Sequence, residues 1–200
     1  MSLIRTASPH DLPGVYRVCL QTGDSGRDAT GLYRDPDLLG HVYAGPYVAG
    51  QPELALIVAD ADGVCGYLLA AEDTRTFERW QEEEWWPPLR AHYPIPDGDT
   101  PDAQLIRLVH APPRAPDAVV AEYPAHLHMD LLERTRGQGI GRTLVERLIE
   151  TLRERGSPGV HLDVAADNSN AIGFYRHVGF IAVQPTRDSL YMGLHLTGGA

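Results

Sequence analysis

The chain has 200 residues, 43% hydrophobic and 22% charged, with 20 glycines and 16 prolines, a composition that excludes a disordered or fibrous protein and suits one loop-rich domain spanning 1–200. All 17 basic residues are arginine, so Schiff-base chemistry, a catalytic lysine and a phosphate-loop lysine are excluded. A formal charge of -10 repels phosphate backbones and argues against a nucleic-acid partner.

Leu3 to Thr6 reads as a short strand. Ser8-Pro9 suits a helix cap with proline in the first turn, and Leu12, Val15, Tyr16, Cys19 and Leu20 recur at helical spacing until Thr22-Gly23-Asp24-Ser25-Gly26 ends the pattern. The N-terminus lacks a leader pattern, no stretch is long enough to cross a membrane, and Cys19 and Cys65 sit in apolar surroundings as buried thiols. A soluble cytoplasmic protein without disulfides or membrane contacts is expected. Arg27 to Gly50 reads as loop with a short helix around Pro36 to His41.

Glu53 to Ala59 and Val64 to Ala71, separated by Asp60-Ala61-Asp62-Gly63, predict an antiparallel hairpin. A Pro/Trp-rich insertion follows over about 72–123, with one helix from about Phe77 to His92. Packing of Trp80, Trp85 and Trp86 on the core with Glu82-Glu83-Glu84 in water is the expected arrangement; a lid or substrate wall is the alternative.

Ala125 to Leu132 alternates as a strand, with Leu127, Met129 and Leu131 on one face and His126, His128 and Asp130 on the other. From Ile140, Leu144, Leu148 and Leu152 with Val145 and Ile149 mark an amphipathic helix that ends near Gly156. Val160 to Ala165 is a further strand. Asp167-Asn168-Ser169 caps a helix whose inner face is Ala171, Phe174, Tyr175 and Val178, and Phe180 to Val183 and Leu190 to Leu196 close the sheet.

Arg136-Gly137-Gln138-Gly139-Ile140-Gly141-Arg142 lies between a strand and a helix, where unpaired main-chain N–H groups form an anion site. Arg134, Arg136 and Arg142 add positive charge beside it. A dinucleotide-binding turn requires G-x-G-x-x-G; here the third glycine comes one residue early, so that reading fails although Asp163 mimics its ribose-binding acid.

The pattern Arg136-x-x-Gly139-x-Gly141, then a helix, a strand, Asn168, Tyr175 seven residues later and Gly179-Phe180, resembles the GNAT acetyltransferase superfamily. The strings Gln21 to Thr30, Gly45-Pro46-Tyr47 and Tyr123 to Asp130 narrow it: they resemble the acetyltransferase-like domain at the C-terminus of animal O-GlcNAcase, here as a free-standing bacterial chain. The resemblance implies an α/β (α+β) GNAT fold, a mixed, mostly antiparallel split sheet flanked by helices, with acetyl-CoA as co-substrate. It implies that the N–H groups of Gly137, Gln138, Gly139, Ile140, Gly141 and Arg142, with Arg136, hold the pyrophosphate. Main chain at Leu131 and Leu132 would pair with the pantetheine arm, and Asn168 with Asn170, Phe174, Tyr175 and Arg176 would line the other side.

Acetyl transfer needs an acid for the departing thiolate and a route for the amine proton, and no metal. The resemblance makes Tyr175 the acid. Asp130 is the first choice for base or amine anchor, His128 for proton relay, and Glu72 and Asp73 are weaker alternatives. His126, His128 and Asp130 also read as a metal triad, but alternate residues of one strand are poorly placed to complete one. The acidic surface suggests an amine, polyamine or basic peptide as acceptor. An acyl-CoA-binding or protein-interaction module without turnover is the second reading, and a homodimer is compatible with either.

Overall fold

The computed structural model describes residues 2–196; Met1 and 197–200, the ends of the expected 1–200 domain, lie outside the described residues. Strand β1 (Leu3–Thr6) leads through a tight turn at Pro9–Asp11 into α1 (Leu12–Thr22). Asp11 fastens this corner: it accepts from the Ser8 N–H and hydroxyl at 2.8 Å and from both terminal nitrogens of Arg5 at 2.7 and 2.6 Å. The Arg5 guanidinium holds the Asp11 carboxyl well below the usual carboxylate range.

The expected helix at 36–41 is two short ones, α2 (Leu38–Tyr43) and α3 (Gly45–Gly50). The hairpin forms as expected from β2 (Ala55–Asp60) and β3 (Gly63–Ala71). Between β3 and the next strand lie α4 (Thr74–Trp80), α5 (Trp86–His92), α6 (Pro101–His110) and α7 (Asp117–Glu122). A π-turn at Gln81–Trp85 joins α4 to α5, so the helical run begins three residues before the expected Phe77. Trp86 is buried and Trp80 and Trp85 half-buried, while Glu82, Glu83 and Glu84 are exposed. A Cβ at Gly45 would stand 2.7 Å from Trp85 and one at Gly50 2.6 Å from Trp80, so those glycines let the indoles press on the α2–α3 backbone. Helices α6 and α7 went unseen because the surrounding prolines masked a short pattern. Thr100 caps α6 by accepting from the Ala103 N–H at 3.2 Å, and Leu105 and Val109 are buried.

The C-terminal elements are β4 (Ala125–Leu131), α8 (Ile140–Glu154), β5 (Gly159–Ala165), α9 (Ser169–His177), β6 (Ile181–Pro185) and β7 (Ser189–His195). All seven strands form one sheet in the order β1-β2-β3-β4-β5-β7-β6. Every neighbouring pair is antiparallel except β4 with β5, giving the expected mixed sheet flanked by helices. One face packs on α8 through Leu144, Val145, Leu148 and Leu152, with Leu127, Val160 and Leu162 beneath them. The other packs on α1 and α2 through Val15, Val18, Leu38, Ile57 and Leu69. Among the described residues no helix is long and apolar enough to cross a membrane.

The split in the sheet positions the candidate site. Strands β4 and β5 pair only at Ala125↔Val160 and His126↔His161 and then diverge, which leaves a wedge between them.

Candidate active site

The glycine turn lies at the wide end of the wedge. Gly137 and Gly139 have φ of +73° and +72°, a region only glycine enters without strain, and a Cβ on either would meet nothing. Gly141 is small for another reason: a Cβ there would come within 3.1 Å of Phe174 and 3.3 Å of Leu131. The first bond within α8 runs from the Thr143 N–H to the Gly139 carbonyl at 3.1 Å, so the N–H groups of Ile140, Gly141 and Arg142 lack helical partners. They open on a cavity of about 460 Å³ lined by Arg136, Gly137, Gly139, Phe174 and Tyr175. Arg136 and Arg142 are largely exposed beside it, whereas Arg134, expected there too, is engaged by Asp60 at 2.7 Å. The Gln138 side chain folds back on the Arg134 carbonyl at 2.7 Å.

The open edge of β4 supplies further main-chain groups, with one correction. Leu132 cannot pair with a ligand: its N–H donates to Cys65 O at 2.9 Å and its carbonyl accepts from Thr135 N–H at 2.9 Å. By strand alternation, Met129 and Leu131 present their groups to the wedge, and both line its cavity. On the far wall Asn168 caps α9, accepting from Ala171 N–H at 3.0 Å. Asn170 and Arg176 point away; both are exposed and border neither this cavity nor its neighbour.

That neighbouring cavity, of about 270 Å³, holds Cys19, His128, Asp130, Asp163 and Tyr175, and shares Met129, Ala171 and Tyr175 with the first. His128 Nε2 lies 3.1 Å from Asp130 Oδ2. The same oxygen accepts from the hydroxyl of Tyr67, which stands directly across the β3–β4 ladder. Burial alone would lower the His128 pKa and raise that of Asp130. The attraction between them, with the hydrogen bond from Tyr67 to the carboxylate, outweighs it: His128 is pushed up and Asp130 held down. The pair is imidazolium and carboxylate at neutral pH. Burial, then the Asp130 charge, raises the Tyr175 phenol, so it stays protonated.

The His-x-His-x-Asp run divides. His126 is held apart by Thr74 Oγ1 and Tyr47 Oη, each at 2.8 Å, and burial and its histidine neighbours lower its pKa to about 3. Cys19 takes its place: its sulfur and one ligating atom each of His128 and Asp130 lie within 4.8 Å of one another. Cys19 and Tyr67 were missed as site residues because each occupies an apolar core pattern; only the fold brings them to β4. Glu72 turns instead to Arg155 at 2.8 Å, and Asp73 caps α4, accepting from Thr76 N–H at 2.7 Å.

Comparison with known proteins adds to this geometry. Residues 29–180 match the family described as Acetyltransferase (GNAT) family. The chain is 28% identical over 182 residues to Protein O-GlcNAcase of Rattus norvegicus, covering 88% of this chain but 20% of that enzyme, so it spans about a fifth of that relative's length. It is 31% identical over 202 residues to Mycothiol acetyltransferase of Beutenbergia cavernae, covering 86% of this chain and 62% of that one. The crystal structure of SsHAT superposes with a TM-score of 0.91 at 36% identity, covering 98% of this chain and 99% of SsHAT. With a split mixed sheet, a glycine turn opening on the wedge and a family match across most of its length, the chain belongs to the GNAT acetyltransferase family.

Proposed function

We propose that this chain transfers the acetyl group of acetyl-CoA to an amine, residues 1–200 acting as one domain whose 72–123 segment supplies part of the acceptor wall. One observation carries the reading: Tyr175 borders both the glycine-turn cavity and the cavity that holds Asp130. The unpaired N–H groups, two exposed arginines and the open β4 edge fit a pyrophosphate with an amide-bearing arm. When bound, acetyl-CoA supplies the acyl group as an activated thioester.

The N–H groups of Gly137 to Arg142 hold the pyrophosphate oxygens, with Arg136 and Arg142 adding charge. Met129 and Leu131 pair their main chain with the pantetheine arm, and Phe174 packs on the opposite side. Asp130 anchors the amine and takes its proton as the nitrogen–carbon bond forms. Tyr175 gives its proton to the sulfur as the carbon–sulfur bond breaks. The two steps are coupled electrostatically: once Asp130 is neutral, its charge no longer raises the Tyr175 pKa, and the phenol becomes a stronger acid. His128, expected as the proton relay, already carries its proton beside Asp130, so it is instead a positioning residue that keeps Asp130 ionised. The buried free thiols Cys19 and Cys65 support a reducing compartment, the cytoplasm.

The test is calorimetric titration with acetyl-CoA, followed by thiol release with a panel of primary amines and basic peptides. Binding and release above background are expected. Binding without release supports the non-catalytic acyl-CoA module instead, and no binding removes both.

A further inference from the structure

Beyond the reacting pair, the 270 Å³ cavity continues into another of about 300 Å³, the two sharing Tyr43, His128, Leu162 and Asp163. Resting on the amine-acceptor reading above, we propose that Asp163, flanked by the rings of Tyr43 and Tyr191, binds a second positive charge on the acceptor. The acceptor class is then a diamine or an amine-bearing basic peptide rather than a monoamine.

Three observations support this anchor. First, Asp163 on β5 stands opposite Tyr191 on β7 and shares its sheet face, while Tyr43 stacks over His128 with ring centroids 6.1 Å apart. A cation there meets a carboxylate and two aromatic rings, a combination that favours ammonium and guanidinium groups. Second, Asp163 has no compensating charge among the described residues. The cavity's other carboxylate, Glu78, is engaged by Arg75 at 2.7 Å, Arg114 at 3.3 Å and the Ala115 N–H at 3.2 Å. No arginine lines the cavity among the described residues, burial lowers the pKa of His126 and His161 and keeps them neutral, and the charge of the third lining histidine, His128, is already matched by Asp130 at 3.1 Å. Third, the Asp163 side chain is open to solvent, and so to a ligand, while the desolvation it keeps raises its pKa against an opposing effect of Ser189, a cost that a bound cation would relieve. Asp163 also lines the cavity of Asp130 and Tyr175, so one acceptor can reach both carboxylates.

The experiment is calorimetry on the protein loaded with coenzyme A, which binds without turning over. Two matched pairs of probes are compared: diaminobutane with butylamine, and alanyl-arginine amide with alanyl-leucine amide. In at least one pair the doubly charged member should bind about tenfold or more tightly, the worth of a hydrogen bond to a charged group. Asp163→Asn should collapse that ratio towards one and Asp163→Glu should preserve it, with coenzyme A titration confirming that both variants are folded. Equal affinities within both pairs, or a preference that survives Asp163→Asn, overturn the proposal. Preference without thiol release from acetyl-CoA keeps the anchor and removes acetyl transfer; release without preference does the reverse.

Discussion

At the glycine-turn end of the wedge, the groups offered to a ligand are main-chain N–H groups of consecutive residues at the start of α8, with positive φ at Gly137 and Gly139. At the other end they are side chains: Cys19 from α1, Tyr43 from α2, Tyr67 from β3, His128 and Asp130 from β4, Asp163 from β5. A main-chain site is made of N–H groups, so it tolerates change in the side chains around it and fails when a side chain placed at one of its glycines competes with the anion. A side-chain site is set by tertiary packing and by charge balance, so each member depends on the others.

The cofactor end is the more brittle to one substitution. Gly139→Glu places a carboxylate where the anion docks, and like charges in contact cost several kcal/mol, so acetyl-CoA affinity should fall by about a hundredfold or more in calorimetry. Gly139→Ala, which adds only left-handed strain, should cost far less affinity; similar losses in both would show that conformation rather than anion repulsion governs the turn. At the acceptor end, Asp130→Asn and Tyr175→Phe should each lower kcat by about 10²- to 10⁴-fold while leaving acetyl-CoA affinity in place. A matching loss of affinity would mean that the two ends are not separable.

Smaller effects probe charge balance. Tyr67→Phe removes a donor to Asp130, and a hydrogen bond to a charged group is worth about 1.5–3 kcal/mol, so kcat/KM should fall about tenfold and its acidic limb move to higher pH. The His128 ring should titrate by NMR far above the ordinary histidine range, near pH 10, and at a much lower pH in Asp130→Asn, where burial is opposed only by Cys19. The sign follows from linkage. Stability from His128 is complete below its unfolded pKa and lost as pH rises through about 10; that from Asp130 is present above its unfolded pKa and lost as pH falls through its lowered value. A wild-type His128 that titrates in the ordinary range would contradict the ion pair.

The same contrast explains what could be read from the chain alone. Local rules found the glycine turn, the Asn168 cap and the amphipathic α8, because each is written in adjacent residues. The alternation of β4 put His126, His128 and Asp130 on one face, but it could not separate His126, whose partners Thr74 and Tyr47 come from distant elements. Tyr67 and Cys19 were hidden because a buried tyrosine or thiol in an apolar run carries no mark of the strand or helix it will face. Leu132 looked available because a strand's bonding direction depends on its neighbour, and β3 had not been placed beside it. Asp163 entered only as a rejected ribose ligand, since its cavity is closed by segments scattered from Tyr43 to Tyr191.

The claim that joins the two ends is that Asp130 and Tyr175 form one proton circuit across a shared cavity. A double-mutant cycle on thiol release from acetyl-CoA, with wild type, Asp130→Asn, Tyr175→Phe and the double variant, tests it directly. The account predicts release by the wild type, with a loss in the double variant well short of the product of the single losses, as for residues that act as a unit. Losses that multiply, or no release above background from the wild type, would contradict it.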